Sequence, residues 1–362
     1  MAKILIHVQH LLGTGHTRRM AAIAKALAAR DHGVTLASGG FPVRLDLGAA
    51  RLVQLPPCRA ADASFKILLD ETGRAIDETW RVRRAAATAA LHDEAAPDLL
   101  IVELYPLGRG ALRFELEPLI ARAQRIPKLV SIRDVPQRPA ESKLTARLAA
   151  LADFDAVLAH GDADFLPATE AIPELASLGP RLIHTGYVAI EGASPRDPDE
   201  GRDEILVSVG GGAAGKSLLD ASLALAAKRA GPHERWRVLT GESAGKPNST
   251  SPHVIVEANR PDFPALLGRA RASISQAGYN TCVDLLRARV PAVLVPFAEG
   301  NEREQTIRAR AFAARNLAQM VTESELSPAT LAAALDRTKP PPDLGLSCEG
   351  AAQTAKIVER WL

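Results

Sequence analysis

The sequence predicts an α/β protein made of two doubly wound domains in tandem. Three observations carry this. Short apolar runs alternate with amphipathic stretches of helical period along most of the chain. A polar, proline-bearing break, Glu191–Glu204 (EGASPRDPDEGRDE), interrupts the alternation, which then starts again. The length of 362 residues favours two domains over one.

The elements follow in order. Lys3–Val8 reads as a strand, and Arg18–Ala29 as a helix with Met20, Ile23, Ala24 and Leu27 on one face. Val34–Ala37, Leu99–Val102, Lys128–Ile132 and Ala156–Ala159 continue as strands with helical stretches between them. Pro56–Ala87 fits less well. Its Pro56-Pro57 pair, Gly73 and mixed charges predict a protruding loop plus helix. Beyond the break the strands are Glu204–Val209, Arg237–Thr240, His253–Glu257, Ser273–Ser275 and Ala292–Val295. Ser327-Pro328 supplies an N-cap and an N1 proline. A second break, Lys339–Gly345, holds three consecutive prolines, and a final helix is expected over Glu349–Leu362. The expected division is 1–190, 191–345 and a terminal helix in 346–362.

Composition excludes several classes. With 47% hydrophobic residues the chain has ample material for packed cores. A formal charge of +2 is too mild for a nucleic-acid binder. Cys58, Cys282 and Cys348 form neither a metal spacing nor a disulfide framework, which points to a reducing compartment. MAKILIHVQHLLG is a poor signal peptide, and no stretch approaches the ~18 apolar residues of a membrane span. A cytoplasmic protein is expected, with room for peripheral membrane contact.

Chemistry concentrates at the carboxyl ends of the strands, where open α/β sheets bind ligands. In SISQAGYNTCVDLL, Gly278 falls where a strand gives way to a helix, so backbone can approach a ligand. Asn280 and Thr281 sit at the helix start, where unpaired N–H groups favour an anion. Asp284 lies one turn on, within reach of a ribose hydroxyl. The run AVLVPF ends in Pro296 and Phe297, and Glu302, Glu304 and Gln305 occupy the loop that follows. Gln276 and Arg260, at neighbouring strand ends, join this candidate substrate-binding set. The plainer reading is an ordinary βαβ unit with helix caps.

Near the N-terminus, Gly13-Thr14-Gly15-His16 follows the first strand and opens the first helix. The glycines permit a tight turn that delivers His16 to the sheet edge. An imidazole titrates near neutral pH and suits general-base work. Glu103 (with Arg109 in VELYPLGRG) and Asp134 (in SIRDVP) end two other strands on the same side. Either acid could orient the imidazole or hold an acceptor hydroxyl. The alternative is a loop salt bridge with Arg109 or Arg133.

Gly210–Ser217, GGGAAGKS, satisfies the Walker A pattern between a strand and a helix, so a P-loop ATPase must be weighed. No later strand ends in the aspartate that would hold Mg²⁺. Gly210, Gly211 and Gly212 serve as a phosphate nest under either reading. The Asp-x-Asp triplets at Asp153, Asp162 and Asp197 read as turn formers. His7, His10 and His16 are too dispersed along a strand and turn for a metal centre, so no metal is expected. Trp80, Arg81, Arg83 and Arg84 read as a solvated helix face, or as a surface meeting anionic headgroups.

These motifs resemble those of the family 28 glycosyltransferases, the family of the lipid II N-acetylglucosaminyltransferase. The matching positions are Gly278, Thr281, Asp284, Val295–Phe297 and Gln305. Asp284 stands where the lipid II enzyme has Glu, and Glu304 stands where it has the first of two Gln. VELYPLGRGALRFELEPL, SIRDVP and HGD also resemble a group of predicted bacterial glycosyltransferases over nearly the whole chain. The resemblance implies the GT-B architecture: two Rossmann-like domains facing a cleft, with the last helix crossing back to the first. It implies a UDP-sugar donor on the second domain, with Gly210, Gly211 and Gly212 facing the diphosphate. The first domain would take a lipid-linked or small-molecule acceptor, with His16 as base. The Gly-x-Gly-His turn is also similar to that of a related UDP-sugar hydrolase family, in which the histidine activates water. Hydrolysis and non-catalytic nucleotide-sugar binding are therefore the alternatives. The arginine-proline motif of the 2-epimerases on this fold is missing.

Overall fold

The computed structural model describes residues 1–62, 65–194, 197, 199–210, 215–241, 251–298 and 302–362. The chain forms two compact units, Met1–Ala189 with Glu349–Leu362, and Ile190–Cys348.

In the first unit the elements are β1 (Lys3–Val8), α1 (Gly15–Ala28), β2 (Gly33–Ser38), β3 (Arg51–Gln54), β4 (Arg59–Ala60), β5 (Leu68–Leu69), α2 (Glu78–Ala95), β6 (Leu99–Glu103), α3 (Arg113–Arg122), β7 (Lys128–Arg133), α4 (Glu141–Ala149), β8 (Ala156–His160) and β9 (Leu182–His184). Among the described residues, seven strands form one parallel sheet in the order β3-β2-β1-β6-β7-β8-β9. Its central strands are buried on both faces, as a sheet covered by helices on either side requires. β4 and β5 form a small antiparallel pair within the segment expected to protrude.

The second unit contains β10 (Glu204–Ser208), α5 (Lys216–Arg229), β11 (Arg235–Thr240), β12 (Val254–Ala258), α6 (Phe263–Leu267), β13 (Ala272–Ser275), α7 (Tyr279–Ala288), β14 (Ala292–Leu294), α8 (Glu304–Ala314), β15 (Gln319–Met320) and α9 (Pro328–Asp336). Its parallel sheet runs β12-β11-β10-β13-β14-β15. A core of Ile205, Val207, Leu225, Trp236, Ile274, Val293 and Leu331 lies against it. Ser327 caps α9 by accepting from the Thr330 N–H at 3.1 Å.

The last helix, α10 (Gly350–Val358), belongs to the first unit. Ala355, Ile357 and Val358 share a core with Met20, Ile23 and Leu27 of α1. Arg30 grips Glu359 with two bonds, at 2.7 and 2.6 Å. Gly350 donates to the Tyr187 carbonyl at 2.9 Å, and a Cβ there would lie 2.4 Å from the Gly186 oxygen. Only glycine fits that crossing.

One expectation fails in α2. Its Trp80 and Arg84 do not lie on a solvated face. Trp80 is buried and Arg84 is 0% exposed. Arg84 donates to Glu115 at 2.7 and 3.0 Å, to Gln9 at 3.1 Å and to the Gly39 carbonyl at 3.2 Å. A buried charge is stable only when paired and fully hydrogen-bonded, and this one is.

Candidate active site

In both sheets the chain direction of winding reverses beside the first strand, between β1 and β6 and between β10 and β13. The loops leaving those strands diverge there and open a crevice at their carboxyl ends.

In the first unit this point holds a charged network. Gly13 takes φ +62°, a left-handed conformation that suits glycine, and leads to Gly15 and His16 at the start of α1. Glu103 is the last residue of β6 and is 2% exposed. Its Oε1 hydrogen-bonds His16 Nδ1 and also accepts from Arg19 Nη2 at 3.0 Å. Its Oε2 accepts from Arg109 Nη2 at 3.4 Å. Burial opposes the charge on Glu103, but the Arg109 and Arg19 guanidinium groups and the hydrogen bond from His16 outweigh it and hold the carboxyl well below its usual range. Burial pulls His16 down to about 3; Glu103 opposes that, while Arg133 and Arg109 add to it. The imidazole is therefore neutral at ordinary pH. Because ionised Glu103 only accepts, Nδ1 carries the proton and Nε2 keeps its lone pair. Among the described residues nothing hydrogen-bonds Nε2. A neutral imidazole with an oriented, open Nε2 can take a proton from a hydroxyl or from water.

Asp134 is not part of this pair. It follows β7 and is fully buried, and its Oδ1 accepts from the Val135 N–H at 2.7 Å. Its turn packs tightly: a Cβ on Gly161 would lie 2.6 Å from that of Asp134. The expectation that either acid could orient His16 thus resolves in favour of Glu103. His7 and His10 point to other partners. His10 Nδ1 lies 2.8 Å from Thr17 Oγ1, and His7 Nε2 lies 3.8 Å from Glu115. Among the described residues no group of three potential ligands could hold a metal. Sequence reasoning passed over Arg19, although it lies one turn after His16 on the same helix face.

In the second unit the switch point combines glycine backbone with amide and carboxyl side chains. Gly210 follows β10 with φ +74°, and a Cβ there would come within 2.8 Å of Gln276 Oε1. Glycine is required on both counts. Gly211 and Gly212 lie outside the described residues. Gly278 caps α7 with an ordinary φ of −63°, and a Cβ on it would meet nothing within 4 Å. Its surroundings are open space. Asn280 and Thr281 occupy the first turn of α7, half-buried, with Asn280 Oδ1 buried and unpartnered. Asp284 is 8% exposed, and no described group hydrogen-bonds it. Burial raises its carboxyl to about 7, against a smaller opposite pull from Arg287.

Gln305 Oε1 accepts from the Ala277 N–H at 3.0 Å and the Phe297 N–H at 3.2 Å. It clasps the ends of β13 and β14 and leaves only its amide nitrogen for a ligand. Half-buried Phe297 therefore has its backbone fixed, and buried Glu304 opens α8 with its N–H donating to Glu302 at 2.7 Å. Arg260 does not fit the substrate-binding role expected of it. It donates to Asp262 at 2.8 and 2.6 Å, to Glu200 at 3.0 and 2.6 Å and to Glu257 at 3.3 Å, so its fork is already filled. Lys216 reaches Asp220 one turn along the exposed face of α5, at 2.5 Å. Two of the Asp-x-Asp triplets form turns: Asp162 accepts from the N–H groups of Asp164 and Phe165, both at 3.0 Å, and Asp197 from that of Asp199 at 2.8 Å; in the third, Asp155 accepts from the Lys128 N–H at 2.7 Å.

Two parallel doubly wound units of this order define the GT-B fold, and solved structures of that fold match the whole chain. The glycotransferase of kitacinnamycin superposes with a TM-score of 0.68 at 17% identity, covering 100% of both chains. MurG of Acinetobacter baumannii gives 0.55 at 15% identity, covering 98% of this chain and 93% of that one. In sequence, residues 233–356 match the glycosyltransferase family 28 C-terminal domain. The UDP-N-acetylglucosamine--N-acetylmuramyl-(pentapeptide) pyrophosphoryl-undecaprenol N-acetylglucosamine transferase of Brucella canis is 29% identical over 180 residues, 47% of each protein. The chain thus matches about half the length of these curated relatives. It has the GT-B fold, and its residues 233–356 resemble the family 28 C-terminal domain.

Proposed function

We propose that this protein is an inverting glycosyltransferase that moves a sugar from a UDP-activated donor to an acceptor hydroxyl. The observation that carries this reading is the His16–Glu103 pair, which presents an open Nε2 at the switch point of the first unit. The family match, residues 233–356, falls mostly on the other unit and contains Gly278 and Asp284. His16 takes the hydroxyl proton, the acceptor oxygen bonds to the anomeric carbon, and the bond to the diphosphate breaks to release UDP. Inversion follows from one displacement at that carbon. The leaving charge is met by N–H groups at Gly210, Gly211, Gly212 and Gly278 and by the N-terminus of α7. On this reading Asp284 and Thr281 hold the ribose, Gln276 and Asn280 complete the nucleotide pocket, and Phe297, Glu304 and the Gln305 amide face the donor sugar. No metal is required, because helix and backbone dipoles supply the positive field.

The uridine is supported by the UDP-N-acetylglucosamine donor of the Brucella relatives. Their pyrophosphoryl-undecaprenol acceptor supports a lipid-linked acceptor here, alongside small molecules. We place the reaction in the cytoplasm, with peripheral contact at the inner membrane face if the acceptor is lipid-linked. No described helix is long and apolar enough to cross a membrane. The P-loop alternative is disfavoured because Lys216 is paired along the helix surface.

Thermal melts with UDP, dTDP, GDP and ATP–Mg²⁺ test the donor. A ligand that binds only the native state raises the melting temperature by mass action. UDP should give the largest rise. A rise with ATP–Mg²⁺ alone would favour the ATPase, and rapid acceptor-free release of UDP and free sugar would favour the hydrolase.

A further inference from the structure

Arg109 differs from Arg84 and Arg260. Arg84 and Arg260 use all three guanidinium nitrogens on protein acceptors. Arg109 has a side chain only 9% exposed, yet its one hydrogen bond among the described residues is the 3.4 Å contact with Glu103 Oε2. Its Nε is buried with no partner. Its backbone lies in the left-handed region at φ +57°. A guanidinium carries five donors in a planar fork that matches a phosphate or carboxylate. Holding one nine-tenths buried with a single long bond is costly, because much of its desolvation goes uncompensated. Burial lowers the Arg109 pKa, and Arg133 adds to this against the opposing pull of Glu103. The fork sits on one oxygen of the carboxylate whose other oxygen orients His16.

We propose that Arg109 is an anion site on the acceptor side, taking a phosphate or carboxylate of the acceptor close to the hydroxyl that His16 deprotonates. The acceptor is thereby an oxyanion-bearing molecule. The proposal rests on reading the first unit as the acceptor side.

The test is equilibrium binding in the presence of saturating UDP, which fills the glycine turns of the second unit. The probes are N-acetylglucosamine 1-phosphate, glucuronic acid and neutral N-acetylglucosamine, with vesicles of phosphatidylglycerol and of phosphatidylcholine. Wild type should bind at least one anionic probe or the anionic vesicles at least about tenfold more tightly than the neutral counterpart, the scale of a charge-assisted hydrogen bond. Arg109→Gln should erase that difference. Arg109→Lys should keep part of it, since a point charge replaces the fork. Dependence on Arg109 only with vesicles identifies a lipid-borne anion, and dependence with the sugars a soluble one. Equal binding of charged and neutral probes, or full anion affinity in a folded Arg109→Gln, overturns the proposal. UDP affinity, measured separately, isolates the donor reading: its loss in wild type would sink that reading while leaving the anion result to be judged alone.

Discussion

Glu103 and Glu115 are both buried carboxylates of the first unit, and both meet arginine, yet they are built for different purposes. Glu115 is 1% exposed and receives Arg84 through two bonds and Thr88 through a third, at 2.8 Å. Burial works against its charge, but Arg84 and His7 hold the carboxyl down at about 2. The Arg84 guanidinium in that network has all three of its nitrogens bonded to protein acceptors. Glu103 has the same burial, but its partners include an imidazole with a free nitrogen and an arginine with unused donors. A closed network fixes a core. An open one leaves groups with unmet demands, and those groups are the ones able to bind or to move a proton.

The contrast is broken most severely at Glu103. Glu103→Gln replaces an obligate acceptor with an amide that can donate to Nδ1 and leave the proton on Nε2. kcat should fall by about 10²–10⁴-fold, with UDP affinity nearly unchanged. Steady-state kinetics beside UDP titration reads both. Arg84→Ala should do the reverse. It strands Glu115 and should cost about 3–5 kcal/mol in urea unfolding, while molecules that remain folded keep their turnover.

Asp284 sharpens the comparison, since it is a buried carboxyl with no hydrogen-bond partner among the described residues and only a partial pull from Arg287. Folded, it titrates near 7; unfolded, near 3.9. Between these values the folded state binds the extra proton, so this group's contribution to stability falls as pH rises from about 4 to 7 and stays low above. Asp284→Asn should remove that slope and raise stability at pH 8 by about 2–4 kcal/mol, with UDP binding weakened. Thermal melts at pH 5 and pH 8 check the sign.

The sheet strands were largely legible in the sequence, because a strand buried on both faces is a short apolar run wherever it occurs. Lys3–Val8 has the same bounds in the structure, and the central strands differ by a residue or two. The strands missed are β3, β9 and β15, short pieces at the edges of the two large sheets, and the two-residue pair β4 and β5, all with little apolar pattern. The glycine turns and His16 were visible because a βα turn fixes which end of a sheet they serve. The choice of Glu103 over Asp134 was not, since it depends on which strand lies beside β1. Arg84 and Arg260 were misread for one reason: a charged side chain looks solvated or ligand-facing until the fold supplies its partners. Arg260 finds Glu200, far back in the segment read as a linker. Gln305 was picked out correctly as a residue of the strand-end loops, but its carbonyl turned out to hold two backbone N–H groups.

The central claim is that the base sits on one unit and the nucleotide on the other. His16→Ala measures it directly, with sugar transfer and UDP affinity determined on the same preparation. The account predicts a loss of turnover of about 10²–10⁴-fold with UDP affinity unchanged from wild type. Wild-type turnover in this variant would remove His16 from the mechanism, and a matching loss of UDP affinity would contradict the assignment of base and nucleotide to separate units.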